Sequence, residues 1–258
     1  MGLRDFWYIA ATSTKLGPKR PLSRKILDEW IVLFRDEQGR AVAMQDRCLH
    51  RAAQLSKGRV RKGKIECPYH GWTYNGVGEV VGIPSEGCGK LRIGSKCAKT
   101  YKTAECDGYV YVCLSDNAEC AGEPFRLAHF RETGWQTIRL IHRFHNTVTN
   151  CAENFVDIPH TVSVHSGIFR SKKNQKITAT IERRDGSVLV NYENESTNLG
   201  IFSRFLNPTN QKIVHTDAFY MPNVTKVEYN MGTNRQFIIT SQSVPVTNEE
   251  TLVYTDLT

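Results

Sequence analysis

An α+β fold in two parts is predicted: a small all-β domain followed by an α+β domain built on an extended antiparallel sheet. Three observations predict it. Short apolar runs separated by turn residues fill residues 1–118. The segment Ser115–Pro124, SDNAECAGEP, is polar and rich in turn formers, and it marks a boundary between residues 1–118 and 119–258. Beyond it, a helical pattern at Val148–Ile158 gives way to strand patterns that run to the end of the chain.

In the first part, Trp30–Arg35 and Ala41–Gln45 are apolar runs joined by DEQG, which reads as a hairpin. Lys64–Cys67, Trp72–Tyr74 and Glu79–Gly82 follow as short strands, the last two joined by NGVG. Gly108–Leu114, GYVYVCL, is a fully apolar strand expected to close the sheet. In the second part Trp135–Thr147 reads as a long strand, and the helix after it should stop against Pro159. Ile177–Arg183 and Val188–Glu193 flank Arg184-Asp185-Gly186, a hairpin signal. Lys212–Met221, Lys226–Met231 and Gln236–Val244 continue the sheet.

A chain of 258 residues is long enough for one or two well-buried cores. No apolar run reaches the length of a bilayer span, and the start MGLRDFWYIAATS has no basic-then-apolar leader pattern. No membrane partner and a cytoplasmic location are therefore expected. The net charge of +8 comes from 34 basic and 26 acidic residues. Part of the excess is local: Arg47, Arg51, Lys57, Arg59, Arg61, Lys62 and Lys64 crowd one stretch, with Asp46 and Glu66 beside them. No aromatic residue interleaves these charges, which speaks against nucleic acid. Two readings remain for the stretch, a docking face for an acidic electron donor and a merely soluble loop.

The chemistry sits on either side of that stretch. Cys48-Leu49-His50 and Cys67-Pro68-Tyr69-His70-Gly71-Trp72 supply two thiolate and two imidazole donors in two short pairs. Such a set can hold a two-iron, two-sulfide cluster with thiolates on one iron and histidines on the other, a one-electron relay. It also suits a tetrahedral structural zinc, and spacing alone does not choose between them. The flanks favour the cluster, because Pro68 and Gly71 make a tight loop from which Trp72 and Tyr74 start a strand.

At these residues the chain resembles the Rieske family, whose loops read C-x-H and C-P-x-H-G. The respiratory members carry an extra cysteine in each loop; Ala53 and Tyr69 stand at those positions, so the resemblance is to Rieske oxygenases and their small ferredoxins. Eight cysteines are present, and with Cys48 and Cys67 given to the cluster, the other six are expected to be thiols, since such clusters are assembled in reducing compartments.

A second constellation follows in NFVDIPHTVSVH: Asn154, Asp157, His160 and His165. Asp157 and His160 are three apart, one helical turn, whereas His165 requires the chain to bend. Two histidines with a carboxylate from elsewhere make the facial triad of a non-haem ferrous site. The order of the two constellations resembles a Rieske non-haem iron oxygenase α subunit, which shows N-x-x-D-x-x-H-x-x-x-x-H after the Rieske domain. The resemblance implies a helix-grip-like second domain and mononuclear Fe(II) on His160 and His165, with Asn154 near the metal. It also implies that Asp157 links a cluster histidine of a neighbouring subunit to an iron ligand, hence a homotrimer.

Electrons would come from NAD(P)H through a ferredoxin or flavin reductase, and dioxygen would hydroxylate or O-demethylate a small organic, aromatic substrate. One departure stands out. The family's third iron ligand is a helical Asp or Glu near the carboxyl terminus, and here Asp217, Glu249, Glu250 and Asp256 all fall in strand-like sequence, as in a shortened or incomplete second domain. An electron-transfer protein without oxygenase activity is the alternative. Phe169, Phe202, Phe205, Phe219, Tyr220 and Met221 are candidates for an apolar pocket, or plain core.

Overall fold

The computed structural model describes residues 2–86, 96–117, 120–157, 178–193, 212–232 and 235–258. The chain forms two compact units that divide after Arg126. That division lies beyond the boundary read at 118 because the intervening segment folds back onto the first unit. Ala121 N–H donates to the Asp5 carbonyl at 2.6 Å and the Trp7 indole to the Gly122 carbonyl at 3.0 Å. The same return path joins Cys120 to Cys113 as a disulfide, with Cα atoms 6.4 Å apart. This corrects the expectation that every cysteine outside the cluster is a thiol. Cys97, Cys106 and Cys151 are thiols, and Cys88 lies outside the described residues.

The first unit contains β1 (Trp7–Thr12), β2 (Leu22–Ile26), β3 (Glu29–Arg35), β4 (Ala41–Gln45), β5 (Arg59–Arg61), β6 (Lys64–Glu66), β7 (Thr73–Tyr74), β8 (Val80–Gly82), β9 (Thr100–Cys106) and β10 (Tyr109–Cys113). They make one sheet in the order β1-β10-β9-β4-β3-β2 and a smaller one in the order β5-β6-β7-β8. All pairings are antiparallel.

The hairpin read at DEQG is present. Its turn is held by Asp36 Oδ1, which accepts from the N–H groups of Gln38 and Arg40. The fully buried β10 does not close the sheet. It lies between β9 and β1, and all five of its residues are buried. Between the sheets sits one core of Val32, Phe34, Val42, Met44, Leu55, Val60, Ile65, Trp72, Tyr74 and Ile83, and it includes Cys48 and Cys67.

The second unit is one seven-stranded antiparallel sheet, β11-β17-β16-β15-β14-β13-β12. Its strands are β11 (Ile138–Phe144), β12 (Thr178–Arg184), β13 (Ser187–Glu193), β14 (Val214–Tyr220), β15 (Val224–Asn230), β16 (Gln236–Thr247) and β17 (Glu250–Leu257). The helix α1 (Val148–Val156) packs across β14 to β17. Thr147 caps it, its Oγ1 accepting from Asn150 N–H at 3.1 Å. The helix ends two residues before the expected Ile158, since the residue preceding a proline is biased out of the helical region. Among the described residues no helix is long and apolar enough to cross a membrane.

Arg35 fastens the first unit. Its guanidinium donates to both oxygens of Glu105, at 2.6 and 2.9 Å, and to the carbonyls of Ser13, Leu16 and Gly39. The ion pair reaches from β3 to β9 over the intervening β4. Arg35 holds the Glu105 carboxyl below its ordinary range. Glu105→Gln should therefore lower unfolding free energy at neutral pH by at most about 1 kcal/mol, since the carboxylate is a third exposed. A depressed carboxyl contributes fully above its unfolded value of ~4.3 and loses that contribution as pH falls through its folded value. Urea titrations should show the gap between variant and wild type narrowing on acidification. A gap that stays constant between about pH 7 and pH 3 would exclude this account.

Candidate metal centre

The two ligand loops share one main-chain template. In the first, Cys48 N–H donates to the Ala53 carbonyl at 2.8 Å and Ala52 N–H returns to the Cys48 carbonyl at 2.9 Å. In the second, Cys67 N–H donates to the Trp72 carbonyl at 2.8 Å and Gly71 N–H returns to the Cys67 carbonyl at 3.1 Å. Each cysteine thus closes a turn four to five residues long, and each turn passes through a left-handed residue, Ala52 at φ 55° and Gly71 at φ 72°. Gly71 is needed twice over, because a Cβ there would also lie 2.8 Å from Pro84 Cγ.

The turns orient the four donors in two layers. Cys48 and Cys67 are buried in the core, whereas His50 and His70 are exposed. The two imidazole rings lie 4.7 Å apart, and Trp72 stacks on His50 at 4.9 Å with nearly parallel planes. The sulfurs are close enough to perturb one another. Burial pushes the Cys67 thiol up and the Cys48 thiol adds to this, while N–H groups of Tyr69 and His70 pull it down. Partial desolvation, with His70 and Arg51 nearby, pushes the His50 imidazole below its usual value, favouring the neutral ring that binds metals. Tyr74 Oη lies 3.2 Å from Cys48 Sγ and accepts from Leu49 N–H at 3.0 Å.

This donor set fits a cluster. The Cys67 thiol, pushed up by burial, ionises only against strong positive charge, and backbone N–H groups already point at its sulfur. The donors come as a buried sulfur pair and an exposed nitrogen pair. Two donors on each of two irons is the asymmetric arrangement the spacing suggested. Three supporting groups escaped the sequence reading as partners of the site: the Trp72 stack, the Tyr74 hydroxyl, and the Asp46 carboxylate at the base of the first loop. Trp72 and Tyr74 follow the second motif directly, which was their only signal.

The basic stretch is partly neutralised. Arg59 donates to both Glu66 oxygens, at 2.6 and 3.0 Å, Arg61 lies 4.0 Å from the same carboxylate, and Lys64 pairs with Glu37 at 3.1 Å. Arg47, Arg51 and Lys57 are exposed at the first loop, as are Leu49 and, on the second, Tyr69, whereas Lys62 is exposed in the turn between β5 and β6 near Glu37.

Of the second constellation, Asn154 lies on α1 and Asp157 is its C-cap, both exposed. His160 and His165 lie outside the described residues, as do Phe169, Phe202 and Phe205. Of the remaining pocket candidates, Phe219 and Tyr220 are consecutive in β14 and so point to opposite faces, and the two cannot share one wall. Three of the four carboxylates weighed as a third iron ligand are engaged elsewhere. Buried Asp217 sits 2.9 Å from His215 Nε2 and accepts from the Tyr192 hydroxyl at 3.2 Å. Asp256 pairs with Arg139 at 2.7 Å and Glu250 pairs with Arg143. Glu249 sits in the exposed turn between β16 and β17.

With a thiolate at Cys48, the Tyr74 hydroxyl must be the donor of their hydrogen bond. Such a bond stabilises the more negative, reduced state of a cluster. Tyr74→Phe should lower the midpoint potential while leaving the visible absorption in place. A voltammetric midpoint unchanged from wild type would show that the hydroxyl does not tune the centre.

Residues 6–102 match the family model described as the Rieske [2Fe-2S] domain. Among curated relatives, Protein TIC 55, chloroplastic, of Pisum sativum is 31% identical over 67% of this chain and 32% of its own length. The vanillate O-demethylase oxygenase subunit of a Pseudomonas species is 30% identical over 66% of this chain and 47% of its own. The chain thus spans half or less of the length of these relatives. Among solved structures, dicamba monooxygenase bound to dicamba superposes with a TM-score of 0.87 at 21% identity, covering 99% of this chain and 77% of that one. A structure of the same protein with non-heme iron and dicamba gives 0.81 at 20% identity, covering 99% of this chain and 76% of that one. At these identities the likeness to the solved structures establishes the fold. The matched domain shows that the chain carries a Rieske [2Fe-2S] domain, and over about two thirds of its length it is similar to proteins that include Rieske-type oxygenase subunits.

Proposed function

We propose that this chain is the oxygenase component of an electron-fed system, in which a ferredoxin or flavin reductase supplies electrons drawn from NAD(P)H. The observation that carries the proposal is the paired template of the cysteine loops, which buries two sulfurs and presents two imidazoles. Cys48, His50, Cys67 and His70 hold the [2Fe-2S] cluster. Exposed Arg47, Arg51 and Lys57 form the docking face for an acidic donor, whose encounter is accelerated by opposite charge. His160 and His165 hold mononuclear Fe(II), with Asn154 nearby. When bound, that iron supplies dioxygen activation for hydroxylation or O-demethylation of a small, aromatic substrate. The likeness to vanillate O-demethylase and dicamba monooxygenase supports that substrate class. No nucleic acid is expected as a partner, and a cytoplasmic location belongs to the same proposal.

Asp157 is assigned the link between centres in a homotrimer. Its position as an exposed C-cap favours this role, since a carboxylate at a helix end can meet a histidine of a neighbouring subunit. A carboxylate that accepts the free N–H of a ligand histidine also fixes its tautomer and raises its basicity.

One observation favours a second reading, an electron-transfer protein that performs no oxygenation. Asp217, Glu250 and Asp256 are already paired on the sheet, and neither they nor Glu249 offer a helical carboxylate to iron. Metal analysis on purified protein separates the readings. About three irons per chain, with substrate-dependent oxygen consumption, is expected for the oxygenase, about two for the relay, and zinc would overturn both. Asp157→Asn should keep the iron content of wild type yet lower coupled product formation more than tenfold. Near-normal product yield in that variant would remove Asp157 from the electron path.

A further inference from the structure

Asp46 is a buried carboxylate, 5% exposed, two residues ahead of the ligand Cys48. Its Oδ1 accepts from Ser56 N–H at 2.7 Å, and its Oδ2 accepts from the Ser56 hydroxyl at 2.5 Å and the Ser23 hydroxyl at 3.1 Å. Its own N–H donates to the Trp30 carbonyl at 3.0 Å. Asp46 ends the stem that enters the first ligand loop, and Ser56 belongs to the short helical turn Leu55–Lys57 that leaves it. One side chain therefore closes the loop at its base, and through Ser23 it fastens that base to β2.

The loop needs such a closure. It carries Ala52 in the left-handed region, a conformation a non-glycine residue holds only when its surroundings enforce it. The second loop has glycine at the matching place and is flanked by strands paired in one sheet, β6 with β7. The first lacks that support, because its stems, β4 and the Leu55–Lys57 turn, belong to no common sheet.

We propose that Asp46 is a positioning residue for the cluster. Its clasp on Ser56 and Ser23 fixes the first loop, and its buried negative charge, within ~7 Å of Cys48 from Cα to Cα, biases the centre against reduction. Screening by salt is weak for a charge at this depth. The inference rests on the cluster assignment made above. It does not concern oxygenation and holds for either reading of function.

The test uses the full chain loaded with its cluster, followed by visible absorption. Ser56→Ala removes the shortest contact and should speed cluster loss to an iron chelator severalfold. Asp46→Asn keeps an acceptor oxygen but removes the charge. Its reduction equilibrium should move toward the reduced state by up to about tenfold, which is ~59 mV for one electron. A release rate unchanged in Ser56→Ala, or a midpoint unchanged in Asp46→Asn, overturns the proposal. Should Asp46→Asn fail to fold, Ser23→Ala removes only the 3.1 Å contact and carries the same release-rate measurement, with unchanged loss again overturning it. A wild-type chain that takes up no cluster would instead remove the Rieske assignment, and this proposal with it.

Discussion

Two sulfur atoms packed into a hydrocarbon core set the terms for the first unit. Cys48 and Cys67 share their surroundings with Val32, Phe34, Met44, Leu55, Ile65 and Tyr74, the side chains that hold the two sheets together. A thiolate in such a place is expensive unless a positive centre compensates it, so the core and the cluster depend on one another. The histidines escape that constraint. They project from the same turns into solvent, where a neutral ring costs little. The asymmetry of the expected centre, anionic ligands inside and neutral ligands outside, follows from where each half sits relative to the core.

The second unit solves a different problem. Its sheet carries many polar side chains out of water, and several of them are paired along and across strands. His215 and Asp217 are bonded within β14, Ser241 and Thr255 meet at 3.0 Å, and Asp256 meets Arg139. His215 is sandwiched between the rings of Tyr192 and Tyr229, at 4.8 and 4.3 Å. These are its register neighbours on either side. A buried carboxylate that has found such partners is held in place and is not available to drift toward a metal.

Much of this was legible in the residues, and what was missed has identifiable causes. The cluster loops announced themselves because ligand chemistry, tight-turn residues and a following strand coincide within one short string. The hairpins of both units were visible from apolar runs flanking turn formers. Strands β1, β2, β5 and β9 gave little sign, since β2 and β9 mix polar and apolar residues without strict alternation, β5 is only three residues long, and β1 looked like an ordinary chain start. Long-range closures were invisible for a deeper reason. The clasp of Asp46 on Ser23 exists only once the sheets have assembled, whereas the bridge from Cys113 to Cys120, seven residues apart, was hidden because every spare cysteine was read as a thiol. Asp46 read as a stray acid in a basic stretch because burial is not a local property.

The shared hydrogen-bond scheme of the two turns has a bearing on how such centres are recognised. Because the cradle is written in peptide groups, it constrains the cysteine and the left-handed residue four places on, but not the imidazole between them. That is why one histidine can stand two places after its cysteine and the other three. Kinship among these proteins should therefore persist in the trace of the chain after ligand identities have diverged. A search that insists on fixed motif letters will overlook members that a comparison of turn geometry retrieves.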